Sequence, residues 1–220
     1  MNKTALIITG GEFSSPVIDF KYEYVIACDK GYVHAKKLGI KPDLVIGDFD
    51  SWSGDIPADI PVISLPVEKD DTDTMYAVKQ ALERGYSDIK VLCGLGGRMD
   101  HLLANIQTMG YVAANGGVCE FMDETNHIRT LSAGYAKDSK AGSKSCASLS
   151  IPSRNGYALS LLSLTDRCEG LCIKGAKYNV ENITLTNTFP LGHGNHWESD
   201  EITVSITSGI LLVITSKLEA

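Results

Sequence analysis

Four short apolar runs in the first half of the chain each end in acid. Asp29 follows YVIAC, and Asp48 and Asp50 follow DLVIG in the string GDFDS. Asp70, Asp71 and Asp73 follow PVISLPVEK, and Asp100 follows IKVLCGLGGRM. Runs of this length and composition read as buried strands. If they are parallel, their C-terminal ends share one edge of a sheet, where open α/β folds bind ligands. So many carboxylates in one crevice repel one another unless a cation sits among them. Magnesium carrying a polyphosphate suits that crevice.

Helical patterns separate the runs. KGYVHAKKLG carries Val33 and Leu38 on an amphipathic helix ended by Gly39, with His34 on its exposed lysine-rich face. Thr72 can cap a helix through MYAVKQALERG, with Asp73 in its first turn and Gly85 as its stop. DHLLANIQTMGYVAANGG sets Leu102, Leu103, Ile106 and Met109 at core spacing. This alternation predicts an α/β domain over residues 1–124, a mainly parallel sheet with flanking helices. After about residue 125 short β-type runs replace it, from HIRTLSAG to ILLVITSK. Their spacing of about ten residues predicts a C-terminal antiparallel β-sandwich over residues 125–220. The polar stretch 135–145 reads as a flexible turn and 191–200 as a second long loop. There is no internal repeat.

Composition narrows the partners. No apolar run approaches the ~20 residues of a membrane span, and the apolar N-terminus breaks at Gly10-Gly11, as a buried first strand does and a signal peptide does not. The net charge is −7 with no basic run, which argues against nucleic acid. The six cysteines form no CxxC pair, and Cys28, Cys93 and Cys119 sit in apolar runs. They read as reduced thiols of a cytoplasmic protein.

Three strings carry the chemistry. In GDFDS, Asp48 and Asp50 are two apart at a strand end, so both can face one way as hard oxygen ligands for Mg²⁺. An Asx turn explains the same string, and aspartyl phosphatases also use a DxD after a strand. In KDDTD (69–73), capping explains Thr72 and Asp73, yet three acids in four residues exceed what a cap needs. GLGGRMDH (94–101) resembles a phosphate loop. Gly94, Gly96 and Gly97 permit close backbone approach, the next helix offers free N–H groups, and Arg98 supplies a forked cation. Asp100 can be the helix N-cap, a metal ligand, or both. His101 reads as a polar residue near the site rather than a base. His193 and His196 have HxxH spacing with no third ligand nearby and read as loop residues. Trp52 and Trp197 read as packing.

Taken together, DKG (29–31), KPDLVIGDFDS (41–51), KDDTD (69–73), GGRMDHLLANI (96–106), GLCIKGAKYNVEN (170–182), LTNTF (185–189) and SGILLVITSK (208–217) resemble the thiamine pyrophosphokinase family. The resemblance runs from about residue 6 to the C-terminus. It implies an α/β domain that binds ATP and Mg²⁺, and a β-sandwich that binds thiamine and forms a homodimer. It implies transfer of pyrophosphate from ATP to the thiamine hydroxyl, giving AMP and thiamine diphosphate. Asp48, Asp50, Asp73 and Asp100 correspond to the metal and phosphate-site carboxylates, and Arg98 to a phosphate contact. Asp73 is placed near the thiamine hydroxyl as the group that orients or deprotonates it. Asp29, Asp70, Thr72, Gly96, Gly97, His101 and Asn105 correspond to the same substrate pocket, and Ser208 to a thiamine contact across the dimer. The chain departs from the family where Asp29-Lys-Gly-Tyr32 replaces a frequent DxGA, where Thr186-Asn-Thr-Phe189 replaces SNEF, and where Val213 falls near a tryptophan of some relatives. From the residues alone two rivals stay open. A DxD phosphatase would release free phosphate, and a non-catalytic nucleotide sensor would bind ATP without producing AMP.

Overall fold

The structure is a computed structural model describing residues 3–49, 54–134 and 146–218. Asp50, Trp52 and the stretch 135–145 lie outside the described residues. The chain divides into two compact units, Met1–Val112 with Cys119–Glu124, and Ala113–Val118 with Thr125–Ala220.

In the first unit the elements are β1 (Lys3–Ile8), β2 (Tyr24–Cys28), α1 (Gly31–Leu38), β3 (Leu44–Gly47), β4 (Val62–Ser64), α2 (Asp73–Glu83), β5 (Tyr86–Leu92), α3 (Met99–Ala114) and β6 (Val118–Met122). The strands lie in the order β4-β3-β2-β1-β5-β6. Each adjacent pair from β4 to β5 is parallel. Such strands are covered on both faces, which is why β1 and β3 are almost continuously apolar. Leu6 and Ile8 of β1 join Ala35 of α1 in one buried cluster, with Phe20 and Leu38 at its margin. Ala5 and Ile7 alternate to the other face, and α2 packs on β1, β2, β3 and β5. Lys90 in β5 is buried and neutralised by Glu120 at 2.5 Å and Asp88 at 3.1 Å. Starting from β1, the chain builds outward through β2, β3 and β4, then returns to the opposite side of β1 with β5. This reversal opens a crevice at the C-terminal ends of β1, β2 and β5.

Two helices differ from the sequence expectation. Leu103 of α3 is 57% exposed rather than packed, and the buried side of that helix is Met109, Val112 and Ala113. His34 is not on an open lysine face. It is 2% exposed, and its Nδ1 donates to the Thr9 carbonyl at 3.0 Å. The buried residues of α1 are Gly31, Tyr32, His34 and Ala35, because the helix turns its start toward the end of β1. Burial pushes the His34 pKa below its ordinary 6.5, the Thr9 bond opposes this, and Lys30 and Lys37 add to the lowering. The folded chain therefore takes up this proton at lower pH than the unfolded chain. Stability from this group is complete above pH 6.5 and declines as pH falls from 6.5 through the lowered folded value. His34→Gln is expected to flatten that decline, measured as urea unfolding midpoints from about pH 7.5 to about pH 5. An unchanged slope would assign the effect to another group.

The second unit contains β7 (Asn126–Ala133), β8 (Ala147–Pro152), β9 (Tyr157–Ser163), β10 (Arg167–Lys174), β11 (Val180–Thr186), β12 (Glu201–Ile206) and β13 (Gly209–Lys217). β11-β10-β12-β8 form one antiparallel sheet, and β7-β13-β9 run antiparallel beside one another. Leu159, Leu161, Leu171, Ile202, Val204, Leu211 and Val213 form their shared core, as in a sandwich. The loop 191–200 is tied down. Asn195 pairs with Leu159, its Oδ1 accepts from Tyr178 N and its Nδ2 donates to Tyr178 O. Trp197 packs against the core and donates its Nε1–H to Ile151 O at 3.1 Å. All six cysteines are free thiols.

Candidate active site

The C-terminal ends of the first unit's strands turn sharply. Asp29 after β2, Phe49 beyond β3 and Cys93 after β5 have φ of 47°, 56° and 59°. Side-chain-bearing residues adopt this left-handed region at a cost, and such residues cluster at functional sites. Gly31 lets the start of α1 close on β1. A Cβ there would lie 2.1 Å from the Ile8 carbonyl oxygen. Gly96 and Gly97, with φ of 80° and 70°, turn the chain from β5 into α3.

Around these turns lies a cleft of about 660 Å³, within the size range of small-molecule sites. Thr9, Gly10, Gly11 and Glu12 bound it from β1, Cys28, Asp29 and Lys30 from β2, and Cys93 and Gly94 from β5. Lys69 and the start of α2, Thr72 to Thr74, form another wall. Gly96, Gly97, Arg98, His101 and Asn105 complete it from the start of α3. Two helix N-termini thus border a glycine-lined surface, an arrangement suited to anions. Thr72 caps α2 by accepting from Met75 N at 3.1 Å, as its position predicts. Asn105 donates to the Gly94 carbonyl at 2.8 Å and so ties α3 to the end of β5.

The carboxylates divide into two groups. Asp48 and Asp73, from the ends of β3 and the start of α2, meet on one ammonium. Lys69 Nζ is 2.7 Å from Asp48 Oδ2 and 2.8 Å from Asp73 Oδ1. Burial works against the Lys69 charge, but its close contacts with both acids outweigh it and hold the pKa above its ordinary 10.5. Asp100 does not join this pair. Its Oδ2 accepts from Arg98 Nη2 at 2.6 Å and its Oδ1 from Arg98 Nε at 3.1 Å. The Arg98 guanidinium holds the Asp100 pKa below the usual carboxylate range. Nor is Asp100 the N-cap, since α3 begins at Met99. Asp70 is exposed, and Asp71 pairs with Lys79 at 2.6 Å. Among the described residues no three His, Cys, Asp or Glu side chains converge as a metal site. Of the expected group Asp48, Asp50, Asp73 and Asp100, the described residues show Asp48 and Asp73 meeting on Lys69 and Asp100 in a separate ion pair, with Asp50 outside the described residues. The reason is local: Arg98 is two residues from Asp100 and closer to hand than a distant strand end. His193 and His196 belong to the tied loop of the second unit, and Ser208 lies between β12 and β13, its carbonyl accepting from Glu169 N at 3.0 Å.

The donor set still fits a divalent cation. Two hard carboxylate oxygens already converge on a positive charge, and Mg²⁺ commonly takes one or two carboxylates with waters and substrate phosphates completing its shell. Sequence reasoning overlooked Lys69, Lys30 and the segment Thr9–Glu12. The i,i+4 spacing of Lys69 and Asp73 and the Gly-Gly-Glu after the first strand were the available signals.

Comparison with known proteins agrees with this architecture. The family profile "Thiamin pyrophosphokinase, catalytic domain" matches residues 20–118. The profile "Thiamin pyrophosphokinase, vitamin B1 binding domain" matches residues 148–211. Thiamine pyrophosphokinase of Bacillus subtilis (strain 168) is 29% identical over 196 residues, 87% of this chain and 86% of that protein. A crystal structure of thiamine pyrophosphokinase from Bacillus subtilis superposes with a TM-score of 0.82 at 26% identity, covering 99% of this chain and 100% of the other. A thiamin pyrophosphokinase family protein from Enterococcus faecalis gives 0.77 at 26% identity, with the same coverage. With both of its profiles matched in order, and the fold shared along nearly its whole length, the chain belongs to the thiamine pyrophosphokinase family of enzymes.

Proposed function

We propose that the cleft binds ATP with Mg²⁺ and transfers its pyrophosphoryl group to the hydroxyl of thiamine, giving AMP and thiamine diphosphate. The observation that carries this is the meeting of Asp48 and Asp73 on Lys69, where Lys69 and Asp73 line a glycine-rich cleft bordered by two helix N-termini. Transfers of this kind need in-line positioning and charge neutralisation more than covalent help. Asp48 and Asp73 would hold the metal, with Asp50 as the second acid of the GDFDS string and Asp100, in the string GLGGRMDH, as a further acid of the family's site. Bound there, the metal would neutralise phosphate charge. The backbone at Gly96 and Gly97 and the start of α3 receive phosphate oxygens. Arg98, at the same turn, offsets charge building towards AMP. Asp73 orients the thiamine hydroxyl and takes its proton. The second unit supplies thiamine binding and dimerisation, with Ser208 reaching the substrate across a homodimer in the cytoplasm. The matched vitamin B1 profile supports the first part of that assignment.

The deciding experiment mixes the protein with ATP, Mg²⁺ and thiamine and separates AMP from ADP. AMP is expected to appear in step with thiamine diphosphate. ADP or free phosphate instead would overturn the proposal and favour a phosphatase. The family matches support neither the phosphatase nor the non-catalytic sensor.

A further inference from the structure

Lys69 has a position that structural stability alone does not require. It precedes α2 by four residues, lines the cleft, and its side chain is 15% exposed. Its ammonium bridges acids from two separate elements, Asp48 at 2.7 Å and Asp73 at 2.8 Å. A divalent cation would be held by those same oxygens. It would then share its ligands with a like charge a few ångströms away. Such charges repel strongly where water is scarce. The lysine and the metal therefore compete for Asp48 and Asp73.

We infer that Lys69 is the resident counter-cation of this carboxylate pair and makes metal binding depend on nucleotide. Without nucleotide, a metal entering alone must expel the ammonium from two ion pairs and offers it nothing in return. With a nucleotide, the polyphosphate arriving in the same cleft takes up the displaced ammonium. The chain then accepts the metal as its nucleotide complex and discriminates against the free ion. Lys69 is thus a positioning residue, acting through Asp48 and Asp73. The inference rests on the function proposed above only in taking those two acids as the metal-holding pair.

The test uses Mn²⁺ alone as the probe, with no nucleotide, and reads its binding by electron paramagnetic resonance. Lys69→Met and Lys69→Gln are expected to bind Mn²⁺ at least about tenfold more tightly than the wild-type chain. Lys69→Arg, which keeps the charge, should stay near wild type. Adding Asp48→Asn to Lys69→Gln should abolish the gain. Circular dichroism establishes that each variant is folded, and the glutamine variant, which keeps a hydrogen-bond donor, carries the test if the methionine one is not. A purely structural lysine would lower thermal stability without tightening Mn²⁺ binding. Unchanged or weaker binding in the folded variants overturns the inference, as does a gain that survives Asp48→Asn. Wild-type production of AMP and thiamine diphosphate is scored separately. If it fails, the proposed function falls, whatever the Mn²⁺ result.

Discussion

Asp73→Asn is expected to lower kcat for thiamine diphosphate formation by about 10² or more, with little change in stability. The amide keeps the size of the side chain but cannot take a proton, and it is a poor ligand for a hard cation. The structural cost is small for identifiable reasons. Asp73 occupies the first turn of α2, where a negative charge contributes about 0.3–1 kcal/mol. Its ion pair with Lys69 is partly buried, at 26% exposure for Asp73 and 15% for Lys69, but the substitution does not strand the ammonium, which keeps Asp48 at 2.7 Å. The cap of the helix is Thr72, which the substitution leaves in place. Steady-state kinetics of AMP release, set beside a thermal melt, separate the two effects. A near-normal rate would remove Asp73 from the chemistry. A collapsed melt would show that its role is structural.

Gly31→Ala is expected to do the opposite, destabilising the first unit and removing activity with it. The added Cβ would lie 2.1 Å from the Ile8 carbonyl oxygen, 2.8 Å from its carbon and 2.9 Å from the Thr9 carbonyl carbon. All three are backbone atoms, so no side-chain rotation relieves the overlap. Either the end of β1 or the start of α1 must move. Both carry the cleft, through Thr9 and Gly10 on one side and Asp29 and Lys30 on the other. Overpacking of this kind typically costs about 1–3 kcal/mol, and occasionally more. The measurement is urea unfolding followed by circular dichroism. An unshifted midpoint would mean that the two backbones are not in contact.

Much of the fold was legible because its signals are local. The apolar runs that end in acid became β2, β3, β4 and β5; the inner strands β2 and β3 are apolar because both their faces are covered, while the edge strand β4 stays largely exposed. Thr72 capped the helix it was expected to cap, because the cap is made within three residues. Near residue 125 the helical periodicity of the first half gives way to strand periodicity. The failures came where a residue's surroundings are set from a distance. His34 sits between Lys30 and the Lys36-Lys37 pair in the sequence, yet Thr9, 25 residues earlier, gives it a buried acceptor. Leu103 has core spacing and stays exposed, because periodicity does not say which turn of the helix is covered. Asp100 belongs to an acidic string and is held by its neighbour Arg98 instead.

The residue types needed for the chemistry, and the elements that carry them, are written in the sequence, because strand burial, helix caps and glycine turns are short-range effects. Which acids share a cation was decided only by tertiary structure. Asp48 and Asp73 meet because β3 and α2 bring their ends together, and Lys69 occupies the meeting point. Charge pairing depends on separations of a few ångströms, and those are fixed by how the strands order themselves around β1 rather than by distance along the chain.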